Sequence, residues 1–308
     1  MKLAIHLPQQ RVLRLAVLLA GVVLLIVIGR QGASAQRPPG WQVGNPIAET
    51  LPAASAALQA DAAAAGRLAA AFGLTGSPRP AVHQRDLRSG QEFDEVAFIS
   101  TSGVETALVR LDPITRLPLA IVQLTRPEGF DHPGYDASTA PGRARAIAAQ
   151  AGLSLPDAGP AVAWDPGLES WRVGWERVVD GVPAPGDGTF VNVFPGGQLA
   201  SLSRFETPLR PAPGRTITPG DARRSALEWA VGRGVAPLKE FRVEPPALEW
   251  RAANDYLTPG GSDAPEAELR LVYRVRLSYT ISGDTEPQVL DLYVDAGDGT
   301  VVGGAASA

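Results

Sequence analysis

The chain has 308 residues, 45% of them hydrophobic and 19% charged, which is enough apolar sequence for two or three folded domains and too much for a disordered chain. Its 28 basic side chains face 32 acidic ones, so no cationic excess exists to pair with phosphates, and nucleic-acid binding is not expected. Cysteine is absent and histidine occurs only at His6, His83 and His132, which excludes disulfides and a cysteine nucleophile and leaves little for a histidine-based metal site or triad.

Residues 1–35 carry Lys2, Arg11, Arg14 and Arg30 and no acid. Leu15–Gly29 is an uncharged run of fifteen residues, the length of a signal-peptide core and short of the roughly 20 that span a bilayer. Ala33-Ser34-Ala35 has the small-x-small form that signal peptidase reads, so cleavage would leave Gln36 first. If Val12 and Leu13 join the core and Arg14 snorkels, the segment becomes an uncleaved hydrophobic anchor helix. Both readings place residues 36–308 outside the cytoplasm, secreted or tethered, with membrane contact confined to residues 12–30. Without the first 35 residues the net charge moves from -4 to -8, so the exported part is not drawn to anionic lipid.

Residues 36–50 are rich in Pro and Gly and read as a linker, with Trp41 its one apolar landmark. A first unit spans residues 51–126. Its helix is predicted over Pro52–Phe72, with Thr50 before it, Pro52 in the first turn and Gly73 closing it. Leu58, Ala62, Ala65, Leu68 and Phe72 share one face at helical spacing. Strands follow at Glu95–Ser100, Thr106–Leu111 and Leu117–Leu124, with a turn at Asp112–Thr115. Residues 126–139 are turn-rich and read as a boundary.

A second unit spans residues 139–207, with a helix at Pro141–Ala151 and strands at Ala161–Trp164, Ser170–Val178, Gly188–Phe194 and Gln198–Ser203. Pro208–Arg215 reads as a linker. A third unit spans residues 216–304. Thr218-Pro219-Gly220-Asp221 has the spacing of a capping box, and the helix it opens buries Ala222, Ala226, Trp229 and Ala230. Strands are expected at Glu240–Val243, Ala247–Arg251, Glu268–Ile281, Gln288–Val294 and Gly299–Val302. The fold class is α+β: repeated units of one helix packed on an antiparallel sheet, after an N-terminal hydrophobic helix.

Glu268–Val275 (ELRLVYRV), and Leu292–Ala296 (LYVDA) followed by Gly299-Thr300-Val301-Val302, resemble the PepSY domain and the related propeptide domains of thermolysin-like peptidases. The resemblance is clearest in residues 216–304. It implies an extracytoplasmic, non-catalytic module that inhibits or chaperones a peptidase. The sequence ends at Ala308 without a peptidase, so a peptidase partner is expected on another chain.

No catalytic motif is present: no His-Glu-x-x-His, no Gly-x-Ser-x-Gly and no Walker loop. The chain reads as a non-enzyme without a cofactor or resident metal. His83 and His132 read as surface residues. Asp295 and Asp298, which suggest calcium by composition, read better as a hairpin turn, and so does Asp187. Trp171 and Trp175 alternate with Val173 on one strand face. They read as core, or else, with Tyr273, as an aromatic binding surface. The long strand at Glu268–Ile281 is a candidate for strand addition if its edge is free. The expected role is modulation of a peptidase or other envelope protein. The alternative is a membrane-anchored sensor or accessory subunit of a signalling complex, which requires the N-terminal segment to stay uncleaved.

Overall fold

The computed structural model describes residues 48–86, 90–235, 241–254, 265–280 and 287–307. The hydrophobic segment, the cleavage motif at Ala33, Ala35 and Gln36, and Trp41 lie outside the described residues. Among the described residues no helix is long and apolar enough to cross a membrane.

Among the described residues three helices and two antiparallel sheets make a mixed α+β fold. Helix α1 is Ser55–Phe72 and begins three residues later than its sequence predicts. The cause is upstream. Strand β1 (Ala48–Thr50) pairs with β3 (Val82–Asp86), and the Leu51 amide continues that contact by donating to the His83 carbonyl. The chain is therefore still extended at residue 51. Gly73 ends the helix in the left-handed region at φ 65°, as a C-terminal glycine should. The buried residues are Asp61, Ala64, Ala65 and Ala69, while Leu58, Ala62, Leu68 and Phe72 flank them half-covered. Small alanines let the helix lie close on β4 (Glu92–Ile99) and β5 (Glu105–Leu111).

β5 turns back into β6 (Pro118–Gln123) through the predicted turn. There Asp112 Oδ1 accepts from the amides of Ile114 and Thr115 and from the Thr115 hydroxyl. A two-residue strand, β2 (Ser77–Pro78), adds to β4. β3 was not expected from its sequence, Val-His-Gln-Arg-Asp, because only Val82 is apolar.

The second helix, α2 (Ala140–Gln150), carries Pro141 in its first turn. It precedes β7 (Ala161–Asp165), β8 (Ser170–Val179), β9 (Val182–Val193) and β10 (Leu199–Phe205). The β8–β9 hairpin turns at Asp180-Gly181, both at positive φ, as a two-residue turn demands. β9 therefore starts six residues before the predicted Gly188. Gly188 stands opposite Glu176 at a bulge, beyond which Arg177 pairs with Ala184; its φ is 123°, and a Cβ there would lie 2.2 Å from the Trp175 carbonyl oxygen. Asp187, expected in a turn, is buried inside β9. It accepts from Arg177 Nη1 (3.0 Å), from the Thr207 amide (3.0 Å) and from the Thr207 hydroxyl (2.9 Å).

The last strands of the two meanders pair with each other. β6 and β10 run antiparallel, with Ile121 opposite Leu202. The strand order β3-β4-β5-β6-β10-β9-β8-β7 reads the same outward from that seam, within one ten-stranded sheet. Helices α1 and α2 cover the same face, and one core runs beneath both, from Ala65 and Val96 to Ile147, Val173 and Leu202. Gln150 Nε2 donates to the Ala71 carbonyl, tying helix to helix. The turn-rich segment 126–139 packs on the β9–β10 turn. The Gly134 and Tyr135 amides donate to the Pro195 carbonyl, and the Phe130 and Phe194 rings meet edge-on at 5.4 Å.

Helix α3 (Pro219–Gly232) opens with the predicted capping box. Thr218 Oγ1 accepts from the Asp221 amide at 3.1 Å, and Asp221 Oδ2 accepts from the Thr218 amide. Ala222, Ala226 and Ala230 are fully buried, and Trp229 packs beside them. The helix lies on a second sheet. Its main path joins β11 (Arg242–Val243), β13 (Pro265–Tyr279), β14 (Gln288–Asp295) and β15 (Val301–Ser307), while β12 (Ala247–Asn254) also pairs with β13. β13 is bordered by β11 and β12 on one side and by β14 on the other. From Leu269 to Tyr279 partners lie on both of its sides, so the free edge that strand addition to this long strand requires is not offered there. The Asn254 carboxamide binds both backbone groups of Gly304, donating to its carbonyl at 3.1 Å and accepting from its amide at 3.0 Å. A side chain thus joins β12 to β15 where no strand pairing does. The tip of the β8–β9 hairpin packs Val179, Val182 and Ala184 against Trp250 and Leu269, and Leu209 from the Pro-rich joint completes this contact between the sheets.

Candidate functional site

The aromatic residues singled out in the sequence part company in the structure. Trp175 is 3% exposed on the helix-facing side of β8, beside Val173, with the Arg145 guanidinium of α2 over its ring at 5.1 Å. Tyr273 is buried beneath α3, and its hydroxyl donates to the Ile217 carbonyl at 3.2 Å. Both are core residues and not surface, because the helix covers the strand face on which they stand. Trp171 is half-buried, and its indole Nε1 donates to the Tyr135 carbonyl at 3.1 Å.

Register explains what lies beside Trp171. β7 pairs with β8 so that Trp164 stands opposite Trp171 and Val162 opposite Val173. The two indoles meet edge-on at 5.1 Å, and Trp164 remains 43% exposed. Leu168, in the β7–β8 turn, is 38% exposed. β7 ends the strand order, so its outer row of backbone donors and acceptors faces no described strand. Sequence reasoning placed a strand at Ala161–Trp164 without singling out Trp164. The signal was available: period-two alternation puts Val162 and Trp164 on one face, but only the register shows that Trp164 overhangs the sheet edge.

A second grouping is buried. His83 corrects its expected place at the surface. It stands on β3, opposite Asp94, with Nδ1 2.9 Å from Asp94 Oδ1 and Nε2 3.6 Å from Glu92 Oε2. Asp94 is 3% exposed and Asp61 of α1 is fully buried against it. Burial pushes the Asp94 carboxyl above the usual carboxylate range; His83 opposes that shift and Asp61 adds to it. Arg116 Nε donates to Asp61 Oδ1 at 2.9 Å from the β5–β6 turn, where Arg116 holds a left-handed φ of 58°. Asp61 lies three residues after Leu58 and four before Ala65, hence on the apolar face, a position from which its burial was legible. His132 is exposed, as expected.

On the second sheet the face away from α3 carries a chain of ion pairs. Glu249 accepts from Arg251 Nε and from Arg274 Nε, each at 2.9 Å. Asp291 accepts two parallel bonds from Arg276, both at 2.9 Å. Asp295 Oδ1 accepts from the Gly297 amide and Asp298 Oδ1 from the Thr300 amide, each at 2.8 Å, so both carboxylates shape the β14–β15 turn. Among the described residues no cluster of three or more His, Asp or Glu side chains is placed to hold a metal ion.

No family model matches the chain, and no curated protein matches it. Among solved structures it is similar to the Bacillus megaterium YpeB C-terminal domain, at 13% identity and a TM-score of 0.42, over 80% of this chain and 96% of that one.

Proposed function

We propose that the chain is an exported, non-enzymatic binding protein of three PepSY-like units that modulates a peptidase or another protein of the cell envelope. Each of the three helices among the described residues precedes an antiparallel run of strands and lies on it, the organisation that the resemblance at Glu268–Val275 and Leu292–Val302 implies. The observation that carries the binding reading is the β7 edge. It offers backbone groups for strand addition beside an exposed Trp164 and Leu168, whereas the buried carboxylates are held in pairs within the fold.

The test uses the full chain and purified secreted peptidases from the same cell. The expected result is slowed turnover or altered maturation of one of them, with the effect reduced at least tenfold by Trp164→Glu while the fold is retained. A chain that changes the activity or maturation of none of those peptidases defeats the peptidase reading. An unchanged effect in Trp164→Glu defeats its assignment to the β7 edge.

A further inference from the structure

Two carboxyl groups from different elements meet in the core of the ten-stranded sheet. Asp61 comes from the middle of α1, and Asp94 from β4 beneath it. The side chains are in hydrogen-bonding contact, and neither reaches solvent to any extent. Asp61 Oδ1 receives Arg116 Nε, but Asp61 Oδ2 is fully buried with no donor aimed at it. Asp94 Oδ1 receives His83 Nδ1.

The proton count follows from these contacts. With both groups ionised, two like charges would touch in a poorly solvated place, and Asp61 Oδ2 would face another acceptor. With both protonated, Arg116 would be left beside a neutral acid. One proton satisfies every atom: an O–H of one carboxyl donates to an oxygen of the other, and one negative charge remains for Arg116.

We infer that Asp61 and Asp94 share a single proton, and that this pair is a pH-sensitive latch holding α1 on the sheet. The groups that face it are Arg116 from the β5–β6 turn and His83 from β3. One layer out stand Glu92 on β4, Arg85 on β3 and Glu49 on β1. The proton bridges helix to strand directly. Removing it sets two anions against each other across the α1–β4 contact, and α1 is the element that can lift away.

The sign is fixed by linkage. A carboxyl that keeps its proton above the ordinary range in the folded state stabilises fully below that range and loses the contribution as pH rises through the folded value. Between the two values the closed state holds one more proton than the open state. The opening equilibrium of α1 therefore rises about tenfold per pH unit.

Amide hydrogen exchange of α1 in the full chain, corrected for intrinsic exchange, reads that slope. The expected result is a tenfold rise per unit above the ordinary Asp range, retained in His83→Gln and lost in Asp94→Asn, whose amide supplies the donor permanently. Carboxyl carbon shifts of the unmodified chain give a second reading that needs no variant: Asp94 should titrate above the ordinary Asp range. A flat slope in the unmodified chain, a slope that vanishes in His83→Gln, or two ordinary and independent carboxyl titrations each overturn the assignment.

Discussion

Leu202→Ala tests whether the first two meanders form one cooperative body. Leu202 on β10 stands opposite Ile121 on β6, and both are fully buried at the seam. Removing a buried leucine side chain costs about 2–5 kcal/mol, depending on how far the site collapses around the hole. Collapse is restricted here, because the flanking pairs Ser201 with Val122 and Ser203 with Ala120 hold the register on either side. A cost of about 3 kcal/mol or more is expected, which raises the open population more than a hundredfold. The assay is amide exchange followed by mass spectrometry on the full chain. Because one core runs beneath both helices, β4–β5 and β8–β9 should accelerate by similar factors. A double-mutant cycle with Ile121→Ala should give a coupling of about 0.5–3 kcal/mol. Acceleration confined to β8–β10, with β4–β5 unchanged, would show that the halves open independently and refute the single-core argument.

Thr218→Ala removes the cap of α3 and should cost about 1 kcal/mol, read as a lower denaturant midpoint of Trp229 fluorescence; no shift would show that the cap is redundant. Asn254→Ala deletes both bonds to Gly304 and should cost about 1–3 kcal/mol, with faster exchange of β15 amides than of β14 amides. Asp136 is held at about 2 by the Ser138 and Thr139 hydroxyls and then by their amides, so a carboxyl titration should show its midpoint there. Because the folded value is depressed, its contribution is present above the ordinary carboxylate range and is lost as pH falls through about 2; an ordinary midpoint would show that those donors are not bound.

Helix positions were legible where local chemistry decides them. Gly73 and the Thr218–Asp221 box ended and began helices where the sequence places them. The β5–β6 turn was legible for the same reason, since Asp112 caps it with bonds to its immediate neighbours. What escaped was set by contacts far apart in sequence. The start of α1 moved because Leu51 is held by β3, a strand with almost no apolar pattern of its own. His83 looked like a surface histidine because Asp94, eleven residues on, is brought to it only by folding. The choice between core and aromatic surface was left open for a related reason. Alternation alone put Trp171 and Trp175 on one face, but helix cover buries Trp175, and the end of the strand order leaves Trp164 as the exposed ring.

The seam between β6 and β10 has a consequence for how such a chain can grow. It joins a last strand to a last strand, so it is isologous: each meander uses the same surface, and each surface is used up by the other. A contact of that kind closes at two, as a twofold dimer does, and leaves no equivalent edge for a third member. The third helix and its sheet accordingly join through a different surface, the tip of the β8–β9 hairpin against Trp250 and Leu269. The arrangement is a closed pair with an appendage, so another helix-and-meander segment added to the chain would find no vacant copy of the seam and would need a docking surface of its own.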